Sequence, residues 1–99
     1  MELRLLKCMA NDTRFQILKL LEEKEMCVCE IMDTLDKEQS VISHHLQRLR
    51  ECGLIQKRVE GQKRIYSLAD PSISDVIKKL RELSQRLHRE EQEQFAVDT

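Results

Sequence analysis

Apolar residues recur three or four positions apart through the first half of the chain, which is the spacing of amphipathic helices. A short helix is predicted around residues 3–9. A second helix follows, with Asn11 or Asp12 as its N-cap and with a core face supplied by residues 15–21. An acidic, polar turn at residues 22–25 ends this pair of helices.

Two further helices are predicted before residue 52. The first runs over about residues 27–35, and residues 36–38 form the turn after it. The second runs over about residues 39–51, and Gly53 is placed to end it in the left-handed conformation. The apolar face of the first comprises Val28, Ile31, Met32 and Leu35, and that of the second comprises Val41, Ile42, Leu46 and Leu49.

The apolar period changes to two after residue 54. Ile55, Lys57 and Val59 alternate with polar neighbours, and alternation resumes at residues 64–68 after Gly61-Gln62. This pattern predicts a two-stranded hairpin with a basic tip. Asp70 as a cap and Pro71 at the first position then begin a last helix, whose apolar stripe comprises Ile73, Val76, Ile77, Leu80, Leu83 and Leu87.

The order of these elements predicts a mostly α-helical winged helix-turn-helix with a small β-hairpin wing. Residues 1–99 form a single domain, with a flexible polar tail from about residue 92. A chain of 99 residues buries about 60–70% of its unfolded surface when it folds alone. Because such a core is marginal, we expect a partner chain to cover the apolar faces of the N- and C-terminal helices.

Charge is segregated along the chain, although the net charge is only −1. Residues 43–66 carry six basic and two acidic side chains, whereas residues 22–38 carry seven acidic and two basic ones. Basic charge is therefore concentrated where DNA would lie. The chain shows no signal peptide and no apolar run that could span a membrane, so we expect a cytoplasmic protein with four free thiols rather than structural disulfides.

The helix at residues 39–51 has the polar pattern of a recognition helix. Its candidates for contact with base edges in the major groove are Gln39, Ser40, Ser43 and His44. Its further candidates are Gln47 and, for phosphate, His45, Arg48 and, from the helix flank, Arg50. The hairpin tip suits contact with the adjacent backbone or minor groove through Arg58, Gln62, Lys63 and Arg64. Each of these residues alone is typical of an ordinary exposed surface, but together with the fold they predict binding to double-stranded DNA.

Several motifs together resemble the ArsR/SmtB family. They are LKCMANDTR at residues 6–14, MCVCEI at residues 26–31, the Ser-x-x-Ser-x-His-Leu spacing that begins at Ser40, GLI at residues 53–55, and Arg58-x-x-Gly61. The resemblance covers about residues 3–91. It implies a dimeric winged-helix repressor that leaves its operator DNA on binding a metal or metalloid, with the first and last helices forming the homodimer interface.

The resemblance implies an effector site at Cys27 and Cys29. Thiolates prefer soft ions such as As(III), Sb(III), Cd(II) or Pb(II). Residues two apart on a regular helix point about 200° apart, so both thiols bind one ion only if the first turn loosens, which would move the recognition helix. Met32 stands where some arsenic-responsive members carry a third cysteine. Cys8, from the same or the other subunit, is then the first candidate third ligand and Cys52 the second, and the alternative for both is a small buried core residue.

A second family site lies on the last helix, where some members bind Zn(II) through Asp-x-His-x₁₀-His-x-x-Glu. Asp75, His88 and Glu91 fall at that spacing, but Ile77 replaces the first histidine. A remnant of Asp, His and Glu would be chemically acceptable to Zn(II). The favoured alternative is that Asp75 is an acid near the helix N-terminus and that the other two are surface residues.

Other functions stay open at this point. Cys27 and Cys29, or a more distant pair, could oxidise and make the protein a redox-sensing regulator, or the cysteines could have no role in a DNA binder. A small thiol oxidoreductase is disfavoured because the chain has neither a CxxC motif nor a βαβ pattern. A protein-interaction module is disfavoured by the basic hairpin tip. We therefore expect a transcriptional repressor rather than an enzyme.

Overall fold

The computed structural model describes the backbone of residues 1–98 and the side chains of residues 1–89. Within these residues the elements are α1 (Glu2–Met9), α2 (Asp12–Glu23), β1 (Met26–Cys27), α3 (Val28–Leu35), α4 (Gln39–Glu51), β2 (Ile55–Glu60), β3 (Lys63–Leu68) and α5 (Pro71–Asp98). The predicted architecture is confirmed, with α3 and α4 as the helix-turn-helix and β2–β3 as the wing. None of the described helices combines the length and the apolar character needed to cross a membrane.

Side-chain caps begin two of the helices where the sequence predicts them. The amide oxygen of Asn11 accepts a hydrogen bond of 3.1 Å from the backbone N–H of Arg14 and begins α2. The carboxylate of Asp70 accepts one of 2.7 Å from the backbone N–H of Ser72 and begins α5, with Pro71 as the first helical residue. These short polar side chains satisfy N–H groups that have no partner within the helix.

The wing belongs to a three-stranded sheet rather than the two-stranded hairpin that the sequence predicts. β2 and β3 pair antiparallel around a turn formed by residues 61–62. β1 pairs with the other edge of β3, with Met26 opposite Tyr66 and Cys27 opposite Ile65, so that the strand order is β1-β3-β2. A strand of two residues is too short to show an alternating pattern, which is why the periodicity missed it.

The core is formed by the last turn of α1, by α2, α3, α4 and the sheet, and by the first turns of α5. Its most deeply buried large side chains are Ile17, Leu18, Ile31, Ile42, Leu46, Leu49 and Ile77. One prediction for α4 is wrong, because Val41 keeps 39% of its surface exposed. Val41 lies one residue before the buried Ile42, and successive residues are rotated by about 100° around a helix, so Val41 leaves the core-facing side.

The apolar faces of the terminal helices are largely uncovered in the single chain. On α5, Ile77 is buried and Ile73 is half-buried, whereas 41–49% of the surface remains exposed at Val76, Leu80, Leu83 and Leu87. On α1, Leu3 and Leu6 are more than half exposed. The predicted stripe of α5 is thus divided between the protomer core and an open apolar face. The flexible tail expected from about residue 92 falls among side chains outside the described residues.

Candidate nucleic-acid interface and thiol pairs

An open groove of about 770 Å³ lies between α4, the wing and the start of α3. Its α4 side carries Gln39, Ser43 and Gln47, which are four residues apart and therefore share one face of the helix. Its wing side includes Gln62, Lys63 and Arg64. The structure thus brings together six of the residues predicted to contact DNA.

The groove also contains two further basic residues, of which Arg50 is predicted as a phosphate contact and Lys57 is not among the predicted contacts. Arg50 extends the α4 side and Lys57 extends the β2 side. The sequence placed Lys57 in a strand, but only the packing of the sheet against α4 determines which face of that strand borders the groove. Both side chains are exposed, so the groove is lined with positive charge.

A second polar face of α4 carries the two remaining candidates for base contact and one candidate for phosphate contact. Ser40, His44 and Arg48 are also four residues apart, and all three are exposed outside the groove lining. Arg48 lies 3.6 Å from the carboxylate of Glu51 at the solvent-exposed surface. α4 therefore presents two adjacent polar faces rather than one.

His45 has a different environment from the exposed phosphate contact that the sequence predicts. The ring is half-buried, and its Nδ1 lies 3.4 Å from a terminal nitrogen of Arg14. A guanidinium can only donate, so Nδ1 accepts this hydrogen bond. Burial, and then the positive charge of Arg14, lower the pKa of His45 from its usual 6.5. His45 is therefore neutral at pH 7 and lacks the charge that a phosphate contact would use.

Arg58 is held by carboxylates in this structure. Its two terminal nitrogens donate to the two oxygens of Glu25 at 2.8 Å each, and its Nε donates to Glu60 at 2.8 Å. The hydrogen bond from Arg58 lowers the pKa of the Glu25 carboxyl. This contact ties the wing to the turn before β1, and a DNA phosphate would have to replace a carboxylate to engage Arg58. The role of Glu25 could not be predicted from the sequence, because its partner lies 33 residues away.

Cys27 and Cys29 are free thiols at the start of α3. Cys27 is the N-cap in an extended conformation, and its backbone N–H and its thiol donate to Oε1 of Glu30 at 3.2 and 3.4 Å. These hydrogen bonds lower the pKa of Glu30. Because Cys27 precedes the helix instead of lying within it, the 200° separation expected for a regular helix does not apply. Both thiols line the groove that contains the candidate DNA contacts.

Cys8 and Cys52 form a disulfide, which contradicts the expectation of four free thiols. The bond joins the last turn of α1 to the residue that caps α4, across a Cα–Cα distance of 6.7 Å. Both sulfurs are occupied, so in this form of the chain neither Cys8 nor Cys52 is available as the predicted third ligand. The two residues are 44 positions apart, and only the packing of α1 against α4 brings them together.

The predicted second metal site does not assemble within one chain. Asp75 and His88 are thirteen residues apart on α5, and a rise of 1.5 Å per residue separates them by about 20 Å along the helix. The side chain of Glu91 lies outside the described residues. Over residues 1–89, no three His, Cys, Asp or Glu side chains come close enough to hold an ion together. Asp75 and His88 of one chain are therefore too far apart to bind the same ion, and the second site stays a prediction.

The fold of this chain is shared with known transcriptional regulators. The sequence profile of the bacterial regulatory protein arsR family matches residues 11–57. The transcriptional activator HlyU of Vibrio cholerae is 40% identical over 79 residues, which are 80% of this chain and 73% of that protein. The chain belongs to the arsR family. Proteins of this family are DNA-binding transcriptional regulators rather than enzymes, so both of these predictions are confirmed.

Other family members agree in sequence and in structure. An arsenical resistance operon repressor of Staphylococcus aureus is 32% identical over 76 residues, which are 77% of this chain and 73% of the repressor. The structure of reduced HlyU superposes with a TM-score of 0.77 at 39% identity and covers 83% of this chain and 86% of that one. A homodimeric winged helix-turn-helix DNA-binding domain from Mycobacterium bovis superposes with a TM-score of 0.82 at 28% identity, covering 88% of this chain and 81% of that one.

Proposed function

We propose that this arsR-family chain is a homodimeric repressor that binds operator DNA and releases it when a soft metal or metalloid ion binds Cys27 and Cys29. The observation that carries the proposal is the groove that these thiols share with Gln39 and Ser43 of α4 and with the wing tip. A change at the thiols therefore acts inside the DNA-reading surface itself.

The homodimer is supported by the uncovered apolar faces of α1 and α5. A dimer presents two recognition helices to half-sites about one DNA turn, roughly 34 Å, apart. The exposed leucines of the two terminal helices provide an apolar surface that a second copy would cover. The homodimeric state of the Mycobacterium bovis relative adds support.

The donor chemistry of the thiol pair suits a soft ion. Thiolate sulfur is the protein ligand that such ions prefer, and the Staphylococcus aureus relative is named an arsenical resistance operon repressor. Since no third ligand joins the pair among the described side chains, one chain supplies two thiolates, and further ligands would come from solvent or the second chain. A bound ion would hold Cys27 and Cys29 in their thiolate form.

Cys27 is well placed to affect both DNA-reading elements. It is the N-cap residue of α3, the first helix of the helix-turn-helix, where it donates to Glu30, and its backbone pairs with Ile65 in the wing strand β3. Moving Cys27 therefore perturbs the packing of α3 against α4 and the position of the wing. A change at the thiols can therefore alter DNA affinity directly, because Cys27 is part of both elements proposed to contact DNA.

DNA binding is tested by fluorescence anisotropy on a labelled duplex from the region upstream of the gene, over a range of salt concentrations. Arg50, Lys57, Lys63 and Arg64 supply four groove cations in each subunit, so a dimer that neutralises eight phosphates would give a slope of log K against log salt near −7. Lys63→Gln should reduce the slope by about 2 in a dimer. Lys78→Gln, exposed on the side of α5 opposite the open apolar face, is the matched control. Salt-insensitive binding would contradict the proposed interface.

The effector is tested by titrating arsenite or Cd(II) into the preformed DNA complex. We expect release from the wild-type protein and no release from the Cys27→Ser/Cys29→Ser variant, which should still bind DNA. The Cys8→Ser/Cys52→Ser variant is the control and should still respond to the ion. An equal response in the variant that lacks Cys27 and Cys29 would refute the assignment of the site.

A further inference from the structure

The second thiol pair lies away from the DNA groove, where α1 packs against the end of α4. We propose that Cys8 and Cys52 are a reversible redox site that sets DNA affinity by fastening α1 to the recognition helix. This inference rests on the proposed reading of DNA by α4. It concerns a different pair of sulfurs from the proposed ion site, since neither Cys8 nor Cys52 lines the groove.

Cys52 occupies the end of the recognition helix itself. It is the C-cap of α4, and its backbone N–H donates to the carbonyl of Arg48 at 3.1 Å. The next residue, Gly53, has a φ of 79° and turns the chain away towards the wing. The disulfide is thus attached at the junction of the two elements that contact DNA in the proposed complex.

Besides the disulfide, hydrogen bonds and a small apolar contact hold the α1 side of the junction. The Nε of Arg14, on α2, donates to the carbonyl oxygen of Cys8 at 2.6 Å. Cys8 and Met9 are the buried residues of this eight-residue helix. Arg4 donates to the carbonyl oxygen of Glu51 at 3.2 Å, and this contact is exposed to solvent. A helix of this length is not stable by itself in water. Opening the disulfide therefore removes the covalent part of a small interface and leaves α1 freer to shift on α4.

The junction can accommodate the reduced pair. The sulfur of Cys8 lies 3.6 Å from the carbonyl oxygen of Arg48, so a Cys8 thiol has an acceptor for its proton at the same position. Cys8 is 6% exposed, whereas Cys52 is half-buried. Solvent therefore reaches Cys52 more readily, and Cys52 is the sulfur that meets a soluble oxidant.

Hydrogen peroxide is the oxidant in this scheme and a small dithiol is the reductant. The Cys52 thiolate attacks one peroxide oxygen, the O–O bond breaks, and the sulfur becomes a sulfenic acid while the departing hydroxide takes a proton to form water. The Cys8 thiolate then attacks the Cys52 sulfur, the S–O bond breaks, and a second water leaves. Two thiols and one peroxide thus give one disulfide and two waters. A dithiol reverses the bond by two thiol–disulfide exchanges and is itself oxidised to a disulfide.

The redox state of the Cys8–Cys52 pair affects DNA affinity because α1 also carries part of the open apolar face. Leu3 and Leu6 belong to that face, on the helix that holds Cys8. With the disulfide closed, the surface proposed to join the two protomers is covalently fixed to the recognition helix. The two recognition helices are then held at one spacing, and less conformational freedom is lost on binding DNA. The oxidised form is therefore the tighter DNA binder.

The test compares DNA affinity of the full chain in its two redox states at one salt concentration. One sample is oxidised with hydrogen peroxide and the other is reduced with dithiothreitol and then freed of reductant. Mass spectrometry of the digested protein verifies the Cys8–Cys52 link and its loss. We expect the oxidised protein to bind at least about fivefold more tightly, a usual size for coupling between sites. Equal affinity, or weaker binding by the oxidised form, would overturn the inference, and this comparison needs no variant.

Variants then assign the effect to the correct sulfurs. Cys52→Ser and Cys8→Ser should each abolish the redox dependence, and circular dichroism should show that they stay folded. The Cys27→Ser/Cys29→Ser variant should keep the redox dependence. A dependence that persists in Cys52→Ser but disappears without Cys27 and Cys29 would overturn the assignment. Binding to DNA in neither redox state would contradict the proposed function as well, whereas equal binding in both contradicts this inference alone.

Discussion

The exposed leucines of α5 determine how much free energy the predicted dimer interface contributes. Leu80, Leu83 and Leu87 keep 41%, 45% and 49% of their surface exposed in the single chain. Burying a whole leucine side chain contributes about 1.5–3 kcal/mol, so covering the remaining half contributes about 1 kcal/mol for each residue. A two-fold interface uses each residue twice. Leu83→Ala is therefore expected to weaken the dimer by about 2 kcal/mol, or about 30-fold in its dissociation constant.

Sedimentation equilibrium at several protein concentrations measures this change directly. The fold of the protomer should be unaffected, because Leu83 lies outside the buried core, and circular dichroism checks this point. Val59→Ala is the matched control, since Val59 is an apolar residue that is 63% exposed on the wing. DNA affinity of Leu83→Ala should fall at protein concentrations where the dimer dissociates.

Two results would refute the reasoning. The first is a dissociation constant of the Leu83→Ala dimer within about threefold of the wild-type value, which corresponds to less than 1 kcal/mol. This result would exclude the leucine face of α5 from the interface. An equal loss in Val59→Ala would place the interface on the wing instead.

Three further predictions concern the contacts that connect distant parts of the chain. Reducing the α1–α4 disulfide reopens a loop of 44 residues, which lowers the free energy of unfolding by about 4 kcal/mol in the chain-entropy model. Calorimetry should therefore show Tm falling by more than about 10 °C, and an unchanged Tm would contradict the link. Arg58→Gln should return the pKa of Glu25 towards 4.5 in an NMR titration; in the wild-type protein this ion pair is fully formed above pH 4.5 and is lost as the pH falls through the lowered pKa. His45 should titrate below 6.5, and Arg14→Gln should raise its pKa. Because the unfolded chain binds that proton more readily, stability should fall as the pH drops below 6.5, and a His45 pKa at or above 6.5 would contradict the buried contact.

The sites illustrate why sequence spacing alone is an incomplete guide to thiol chemistry. Cys27 and Cys29 are close in sequence, and their position ahead of the recognition helix could be predicted. Their common groove with the wing could not, because it depends on β1 pairing with β3, which lies about 40 residues further along the chain. The Cys8–Cys52 link and the Glu25–Arg58 ion pair depend in the same way on contacts between distant segments.

The sequence by itself determined the local elements and their order. The cap at Asn11, the turn at Gly61-Gln62 and the helix end at Gly53 arise from interactions within a few residues, so their patterns are visible in the chain. Packing alone determined that His45 is half-buried and neutral and that Cys8 is bonded to Cys52. The physical reason is that the charge and reactivity of a side chain depend on the neighbours it meets, and for these residues the neighbours come from other helices.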